Sequence, residues 1–225
     1  MRPENLKAPF KWDERKVLFQ DRILYVPEYY DKYQEYAFPG WEDSQIFGNS
    51  NPLHIEYCSG NGTWIAEKAK INPTVNYVAI EKKFPRIRKI WSKVQNNGLP
   101  NLIGICGEGM KVTLHYFPHA SVDAIFINFP DPWPKKRHAK HRIIQAPFVA
   151  ELSRIMKKGA LLTLVTDDED YSSWMIAVMG GNTSFRSIYP APFYKEELEN
   201  YGTSFFDELW REKGKRIRYH QFERL

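Results

Sequence analysis

One short segment of the chain combines a carboxylate, an aromatic ring and a dense run of positive charge. Phe129–Trp133 reads Phe-Pro-Asp-Pro-Trp, and seven of the eight residues in Lys135–Arg142 are basic or histidine. The two prolines cannot donate to a sheet ladder, so the apolar run before them ends as a strand near Asn128. Ligands of open parallel α/β sheets bind outside the carboxyl ends of the strands. The order of residues therefore places Asp131 at a ligand site beside a surface suited to a polyanion, which points to chemistry on nucleic acid.

The alternative interpretation of this segment is a stiff turn followed by the solvated start of a helix, because charge runs usually face water. A second motif favours the ligand site. Gly60 and Gly62 lie at a predicted strand-to-helix turn, ahead of a helical pattern over Thr63–Lys70, and such glycines let the backbone approach a nucleotide-like ligand. Glu81 follows the next apolar strand and is placed to accept hydrogen bonds from ribose hydroxyls. Its alternative role is that of a neighbour to the N-cap of a helix over Phe84–Asn97.

The chemistry of the glycine turn restricts the kind of ligand. The turn lacks the full G-x-G-x-x-G spacing, which argues against a pyrophosphate cofactor and hence against a nicotinamide dehydrogenase. Glu56 carries a carboxylate inside the preceding strand, where it would repel a pyrophosphate and attract a cationic group. S-adenosylmethionine has no pyrophosphate, and its sulfonium and ammonium groups are cationic, so it meets both requirements.

The chain resembles the bacterial tRNA (guanine-N7-)-methyltransferase family in five segments, which are Ile55–Gly62, Ala79–Glu81, Asn101–Gly109, Phe129–Arg142 and Val165–Asp167. The resemblance runs from about residue 53 to the C-terminus, and the Phe-Pro-Asp-Pro-Trp signature is its most specific part. It implies an S-adenosylmethionine-dependent enzyme that methylates N7 of a guanine in the variable loop of tRNA.

The resemblance also implies roles for individual residues. The implied cofactor-binding residues are Glu56, Gly60, Gly62, Glu81, Glu108 and Asp131. Asp131 is also the implied catalytic residue, and Lys135 and Asp167 are implied to contact the substrate. Glu108 stands where the family usually has Asp, so it offers the same acceptor with a longer reach. Cys58 replaces the family's first glycine, a departure that concerns cofactor affinity rather than the fold.

The C-terminal motif of the family, Thr-x-Tyr/Phe-Glu ahead of a glycine, can be aligned in two registers. Counting back from Gly214 puts Ser204 and Asp207 in the Thr and Glu positions, whereas matching the threonine directly selects Thr203. Thr203, Ser204 and Asp207 are therefore all candidate substrate-binding residues, and both registers stay open.

Alternating apolar strands and helical patterns predict an α/β fold with a parallel sheet. The family resemblance implies the Rossmann-like, seven-stranded sheet of class I methyltransferases, which is mostly parallel, has an antiparallel last strand and carries helices on both faces. Strands are predicted near 53–58, 76–80, 101–105, 122–128 and 160–166, and the last strand over 216–222. Helices are predicted near 62–70, 84–97, 139–157 and 169–180. Gly159 is interpreted as a helix stop.

Residues 1–51 differ from the rest because they are rich in tyrosine and in acidic side chains. They are interpreted as an N-terminal extension packed on a methyltransferase domain that spans 52–225, within one domain overall. The alternative is a platform for stacking bases, which the acidic side chains oppose because they repel phosphate.

Composition sets further limits. A net charge of +5, with basic residues clustered in three segments, suits tRNA as a partner. The only cysteines, Cys58 and Cys106, are predicted in core strands, so neither disulfides nor a metal site is expected. The sequence shows no signal peptide or membrane span. A cytoplasmic monomer or homodimer without a membrane partner is expected.

Two other function classes remain open from the sequence. One is an RNA-binding protein with a vestigial cofactor site, which would retain the basic segments. The other is a methyltransferase that modifies a different nucleobase position, and analysis of the methylated product would distinguish it.

Overall fold

The computed structural model describes the backbone of residues 1–225 and their side chains, except those of Trp12 and Lys136. The chain divides into two compact units, Met1–Phe117 and Pro118–Leu225. Each unit has its own buried apolar residues, and each is described separately.

The first unit contains five strands and three α-helices. Its strands β1 to β5 are Leu18–Gln20, Ile23–Tyr25, Leu53–Tyr57, Asn76–Glu81 and Leu102–Cys106. Its helices α1 to α3 are Thr63–Ile71, Phe84–Asn97 and Gly109–Tyr116. Short 3₁₀ helices lie at Pro3–Asn5, Trp12–Glu14 and Tyr33–Glu35. The strands β2, β5, β4 and β3 pair in parallel in that order, and β1 pairs antiparallel with β2.

Local sequence explains the best-defined elements of this unit. Every residue of β4 is buried, as expected for a parallel strand covered on both faces. Helix α2 has Pro85 in its first turn and is followed by Gly98, whose φ of 58° is left-handed. Proline is common in the first turn of a helix, and glycine is common just after its last turn. The parallel order of β3, β4 and β5 brings their carboxyl ends to the same edge of the sheet.

The second unit contains four strands and three α-helices. Its strands β6 to β9 are Val122–Asn128, Met156–Thr166, Phe185–Ser187 and Arg218–Arg224. Its helices α4 to α6 are Ala146–Ile155, Glu169–Gly180 and Phe205–Glu212, and a 3₁₀ helix lies at Lys136–His141. Strand β6 pairs in parallel with β7, whereas β9 pairs antiparallel with both β7 and β8. The predicted antiparallel last strand is thereby confirmed.

The helix predicted over residues 139–157 was wrong in its extent and its start. The chain instead forms the 3₁₀ helix, an extended connection at Arg142 and then α4, which begins after the extended N-cap Gln145. Pro147 lies in the first turn of α4. Because proline disfavours helical backbone in the residue before it and suits the first turn, it marks a start rather than an interior position.

The interpretation of Gly159 as a helix stop was also wrong. Helix α4 ends at Ile155, and β7 begins directly at Met156, four residues earlier than predicted. Gly159 lies inside this strand with a φ of 78°, where the pairing shifts from Val122–Met156 to Ala124–Leu161. A left-handed residue at a register shift is the usual mark of a β-bulge.

Several elements were absent from the prediction. Helices α3 and α6 and strands β1, β2 and β8 have no counterpart among the predicted ranges. The structure has nine strands over residues 1–225, whereas a seven-stranded sheet was predicted. Strand β2 lies within the predicted N-terminal extension and pairs with β5. The division of the chain at residue 51 stays a prediction.

A buried histidine makes polar and aromatic contacts in the interior of the second unit. His220 in β9 is fully buried, its Nε2 lies 3.0 Å from Ser172 Oγ, and its Nδ1 lies 3.0 Å from the carbonyl oxygen of Phe193. Its ring stacks on Phe222 and meets the edge of Tyr194. Burial is the main cause that lowers its pKa to about 4, so the imidazole is neutral at pH 7.

Because His220 is buried and its pKa is lowered, we expect the free energy of unfolding to decrease at acid pH. The unfolded state takes up a proton at His220 near pH 6.5, whereas the folded state does so only near pH 4. The stabilisation is therefore complete above pH 6.5 and decreases by roughly 3 kcal/mol as the pH falls to 4. We expect the free energy of urea unfolding of His220→Gln to lack this pH-dependent decrease between pH 7 and 4. If the free energy of unfolding changed equally with pH in the variant and the native chain, His220 would not be its cause.

Candidate functional site

The glycine turn of the first unit joins β3 to α1 through three residues with left-handed backbone. Cys58, Gly60 and Gly62 have φ values of 58°, 54° and 68°. A Cβ added at Gly62 would lie 2.6 Å from Cγ1 of Ile90, so this position requires glycine. Cys58 lies just beyond β3 rather than within it, and its left-handed φ is one that glycine adopts more easily.

Glu81 connects this turn to the neighbouring strand. It is the last residue of β4 and is 6% exposed. Its Oε2 accepts from the backbone N–H of Gly60 at 3.0 Å, and its Oε1 accepts from that of Lys83 at 2.9 Å. Arg86 lies 3.6 Å from Oε2. The carboxylate thus holds the turn and the entry to α2, and its further lone pairs are acceptors for a ligand.

The other two predicted carboxylates of this unit lie at the same edge of the sheet. Glu56 is 2% exposed in β3, opposite Ala79 of β4. Glu108 follows β5 and caps α3, because its oxygens accept from the N–H groups of Met110 and Lys111 at 3.1 and 3.0 Å. The structure therefore brings Glu56, Gly60, Gly62, Glu81 and Glu108 to one edge of the first unit. Their contacts with a cofactor stay predictions.

The Phe-Pro-Asp-Pro-Trp segment of the second unit is a strained loop at the end of β6. Phe129 and Trp133, its first and last residues, have φ values of 48° and 45°, which are uncommon outside glycine and asparagine. The N–H of Phe129 donates to the carbonyl of Val165 at 2.9 Å. Asp131 is exposed at the centre of the loop, and Trp133 is 37% exposed. Both side chains are accessible to a ligand.

Arg142 holds this loop from the far end of the basic run. Its Nε donates to the carbonyl oxygen of Pro132 at 2.8 Å, and its guanidinium lies 5.0 Å from the ring centres of both Tyr171 and Trp174. Cation–π contacts of this kind fix the orientation of a guanidinium. Arg142 therefore has a structural contact that its place in a basic run did not reveal.

The predicted substrate residues Lys135 and Asp167 lie in the same unit. Lys135 is exposed and immediately precedes the 3₁₀ helix. Asp167 follows β7 and lies 3.6 Å from the ammonium of Lys215. Because β6 and β7 pair in parallel, Asp131 and Asp167 follow neighbouring strands at one edge of the sheet.

The C-terminal motif forms the start of α6. Ser204 is its N-cap and accepts from the N–H of Asp207 at 3.1 Å, whereas Thr203 donates to Glu208. Asp207 is 3% exposed and accepts from Arg211 at 2.6 Å and from the hydroxyl of Tyr219 at 2.5 Å. The cap joins Ser204 to Asp207, and both registers of the motif stay open. Contacts of Thr203, Ser204 and Asp207 with substrate stay predictions.

Sequence reasoning did not identify Tyr201 or Asn128. The hydroxyl of Tyr201 donates to Oδ1 of Asn128 at 2.6 Å, just before the strained loop. The signal in the sequence was weak: Asn200 and Gly202, on either side, are residue types that tolerate left-handed backbone. Both adopt it, with φ values of 58° and 80°.

The structure also bears on metals and membranes. Among the described residues, no group of three or more His, Cys, Asp or Glu side chains has an arrangement that could hold a metal ion. None of the helices in the described part of the chain has the length and apolar character needed to cross a membrane. Cys58 and Cys106 are both free thiols.

Comparison with solved structures identifies the fold. A structure titled "Structure of an Antibiotic Related Methyltransferase" is 18% identical with a TM-score of 0.59, over 81% of this chain and 92% of that one. A SAM-dependent methyltransferase from Aquifex aeolicus is 15% identical with a TM-score of 0.55, over 86% of this chain and 97% of that one. The fold is that of class I S-adenosylmethionine-dependent methyltransferases, and the predicted fold class is confirmed.

Comparison with sequences defines the family. A family model described as "Putative methyltransferase" matches residues 50–219. The tRNA (guanine-N(7)-)-methyltransferase of Chlamydia felis is 46% identical over 99% of this chain and 97% of its own. The chain belongs to the tRNA (guanine-N7-)-methyltransferase family, as the sequence motifs predicted.

The glycine turn yields a prediction with a matched control. Gly62 and Gly98 both have left-handed φ, but an added Cβ meets Ile90 at Gly62 and nothing within 4 Å at Gly98. Both alanine variants carry the backbone cost, and only Gly62→Ala adds overpacking, typically about 1–3 kcal/mol. We expect urea unfolding to show Gly62→Ala less stable than Gly98→Ala by that amount. Equal losses would show that the turn has room for a side chain.

Proposed function

We propose that this protein transfers a methyl group from S-adenosylmethionine to N7 of a guanine in tRNA. The observation that carries the proposal is the strained Phe129–Trp133 loop, which exposes a carboxylate and an indole directly ahead of a basic 3₁₀ helix. Membership of the tRNA (guanine-N7-)-methyltransferase family supports the substrate, and a relative that is 46% identical carries that name.

The first unit suits S-adenosylmethionine. The turn packs tightly on α2, so Gly62 has no room for a side chain. Glu56 and Glu81 are buried carboxylates at the same edge of the sheet. Carboxylates attract a cationic ligand and oppose a pyrophosphate. We assign Glu81 to the ribose hydroxyls, Glu56 and Glu108 to further polar contacts, and the backbone of Gly60 and Gly62 to close approach. When bound, the cofactor supplies an electrophilic methyl group on a sulfonium.

The second unit suits the guanine. Its N7 has an available lone pair at neutral pH, so the protein needs no strong general base, and its task is to orient the base. The carboxylate of Asp131 can accept from the guanine N1–H and exocyclic amine, and the exposed ring of Trp133 offers a stacking face. A carboxylate near the purine also stabilises the positive charge that develops there. We assign the same acceptor role to Asp167.

Exposed cations provide contacts for the tRNA backbone. Lys135, Arg137 and Lys140 are exposed around the 3₁₀ helix, and Lys83 and Lys89 are exposed at the start and on the surface of α2. Contacts of this kind are independent of sequence and weaken as salt rises. The target base must be reachable, which favours a loop nucleotide over one stacked in a duplex.

Product analysis tests the proposal. The purified protein is incubated with unmodified tRNA transcript and methyl-labelled S-adenosylmethionine, and the RNA is digested to nucleosides. Label in 7-methylguanosine is the expected result. Label in another nucleoside would retain the reaction and change the target, whereas tRNA binding without any transfer would favour a binding protein with a vestigial cofactor site.

Asp131 provides the sharpest variant. We expect Asp131→Asn to lower the turnover number at saturating substrates about 100-fold, because the lost charge acts mainly in the transition state. Asp170→Asn is the matched control, since Asp170 is an exposed carboxylate on α5 of the same unit. Single-turnover methylation of tRNA measures both variants, with far-ultraviolet circular dichroism as the check of folding. Near-normal turnover of Asp131→Asn would remove this residue from the mechanism.

A further inference from the structure

Tyr201 contacts the residue from which the Phe129–Trp133 loop starts. Its hydroxyl donates to Oδ1 of Asn128 at 2.6 Å, and Asn128 is the last residue of β6. Both side chains are buried, with exposures of 9% and 6%. A hydrogen bond between two buried polar groups is costly to remove, because the remaining partner loses its compensation for desolvation.

The surroundings of Tyr201 hold its ring on two sides. The ring lies 6.1 Å from that of Phe126 in β6 and 5.3 Å from that of Tyr219 in β9, with a steep angle of 72° to the latter. The left-handed residues Asn200 and Gly202 turn the backbone on either side of it. The hydroxyl is therefore held at Asn128 by the packing of its own ring.

The contacts continue to helix α6. The hydroxyl of Tyr219 donates to Asp207, which also accepts from Arg211. Burial, followed by the hydrogen bond to Asp207, raises the pKa of Tyr219 to about 12, so this hydroxyl remains a donor at neutral pH. A continuous set of buried contacts thus links the end of β6 to the Ser204–Asp207 motif.

The loop that follows Asn128 needs such support. Phe129 and Trp133 both have left-handed backbone, and residues in sparsely populated conformations persist only when their surroundings hold them. Arg142 holds one side of the loop through the carbonyl of Pro132. Tyr201 holds the strand end on the other side.

We propose that Tyr201 is a positioning residue for methyl transfer, which acts through Asn128 to hold the Phe129–Trp133 loop in the conformation that presents Asp131. This inference rests on the proposed function for its catalytic part. The assignment is specific: the hydroxyl matters for orientation, whereas the ring of Tyr201 supplies the packing.

The test removes only the hydroxyl. We expect Tyr201→Phe to lower kcat about tenfold, because small misplacements of reacting groups cost rate, and to leave KM for S-adenosylmethionine within about twofold. Tyr189→Phe is the matched control, since the hydroxyl of Tyr189 also donates to an amide oxygen, that of Gln221, elsewhere in the same unit. Unchanged kcat in Tyr201→Phe, or an equal loss in Tyr189→Phe, would overturn the proposal.

A double-mutant cycle tests the route through Asn128. If Tyr201 acts through Asn128, the Tyr201→Phe change has little further effect on kcat in an Asn128→Ala background. Effects that multiply independently would overturn the route. Thermal unfolding of each variant confirms that it is folded at the assay temperature.

Limited proteolysis separates this inference from the proposed function. Trypsin cleaves after the basic residues of 135–142, so faster release of fragments ending there in Tyr201→Phe than in Tyr189→Phe reports a loosened loop. Wild-type protein that forms no 7-methylguanosine would refute the proposed function alone. Equal cleavage rates in the two variants would overturn the role of Tyr201, whether or not the wild type methylates tRNA.

Discussion

Parallel pairing of neighbouring strands is the constraint on which the placement of the polar residues in each unit depends. In the first unit, β3, β4 and β5 end at one edge, and their ends carry Glu56, Glu81 and Glu108. In the second unit, β6 and β7 bring Asp131 and Asp167 to one edge in the same way. The strands are mostly apolar, so these carboxylates lie at the carboxyl ends of the strands or just beyond them, where ligands of such sheets bind.

Polar contacts hold the backbone that follows these strand ends in a defined conformation. Glu81 accepts from the N–H of Gly60 in the glycine turn, Arg142 donates to Pro132 in the strained loop, and Tyr201 donates to Asn128 just before that loop. The carboxylates at the strand ends differ in how many of their acceptor sites are already occupied. Glu81 and Glu108 already accept backbone hydrogen bonds, whereas Asp131 is exposed and suited to a substrate that arrives from solvent.

The sequence predicted what depends on local signals and missed what depends on distant ones. Helix α2 was predicted with correct ends, because Pro85 and Gly98 are punctuating residues at its termini. The glycine turn and the Phe129–Trp133 loop were located by the same kind of signal. Gly159 was misread, since glycine marks both helix ends and bulges, and only the pairing of β7 distinguishes them. The partners of Arg142 and Tyr201 lie up to 73 residues away in the chain, so no local pattern revealed them.

If N7 of guanine is the methyl acceptor, replacing that atom abolishes methyl transfer. Two tRNA transcripts of the same sequence are compared, one with guanosine and one with 7-deazaguanosine, in which carbon replaces N7. We expect the labelled methyl group to be transferred to the first transcript alone, while both transcripts bind the protein with similar Kd. Equal transfer to both transcripts would contradict it.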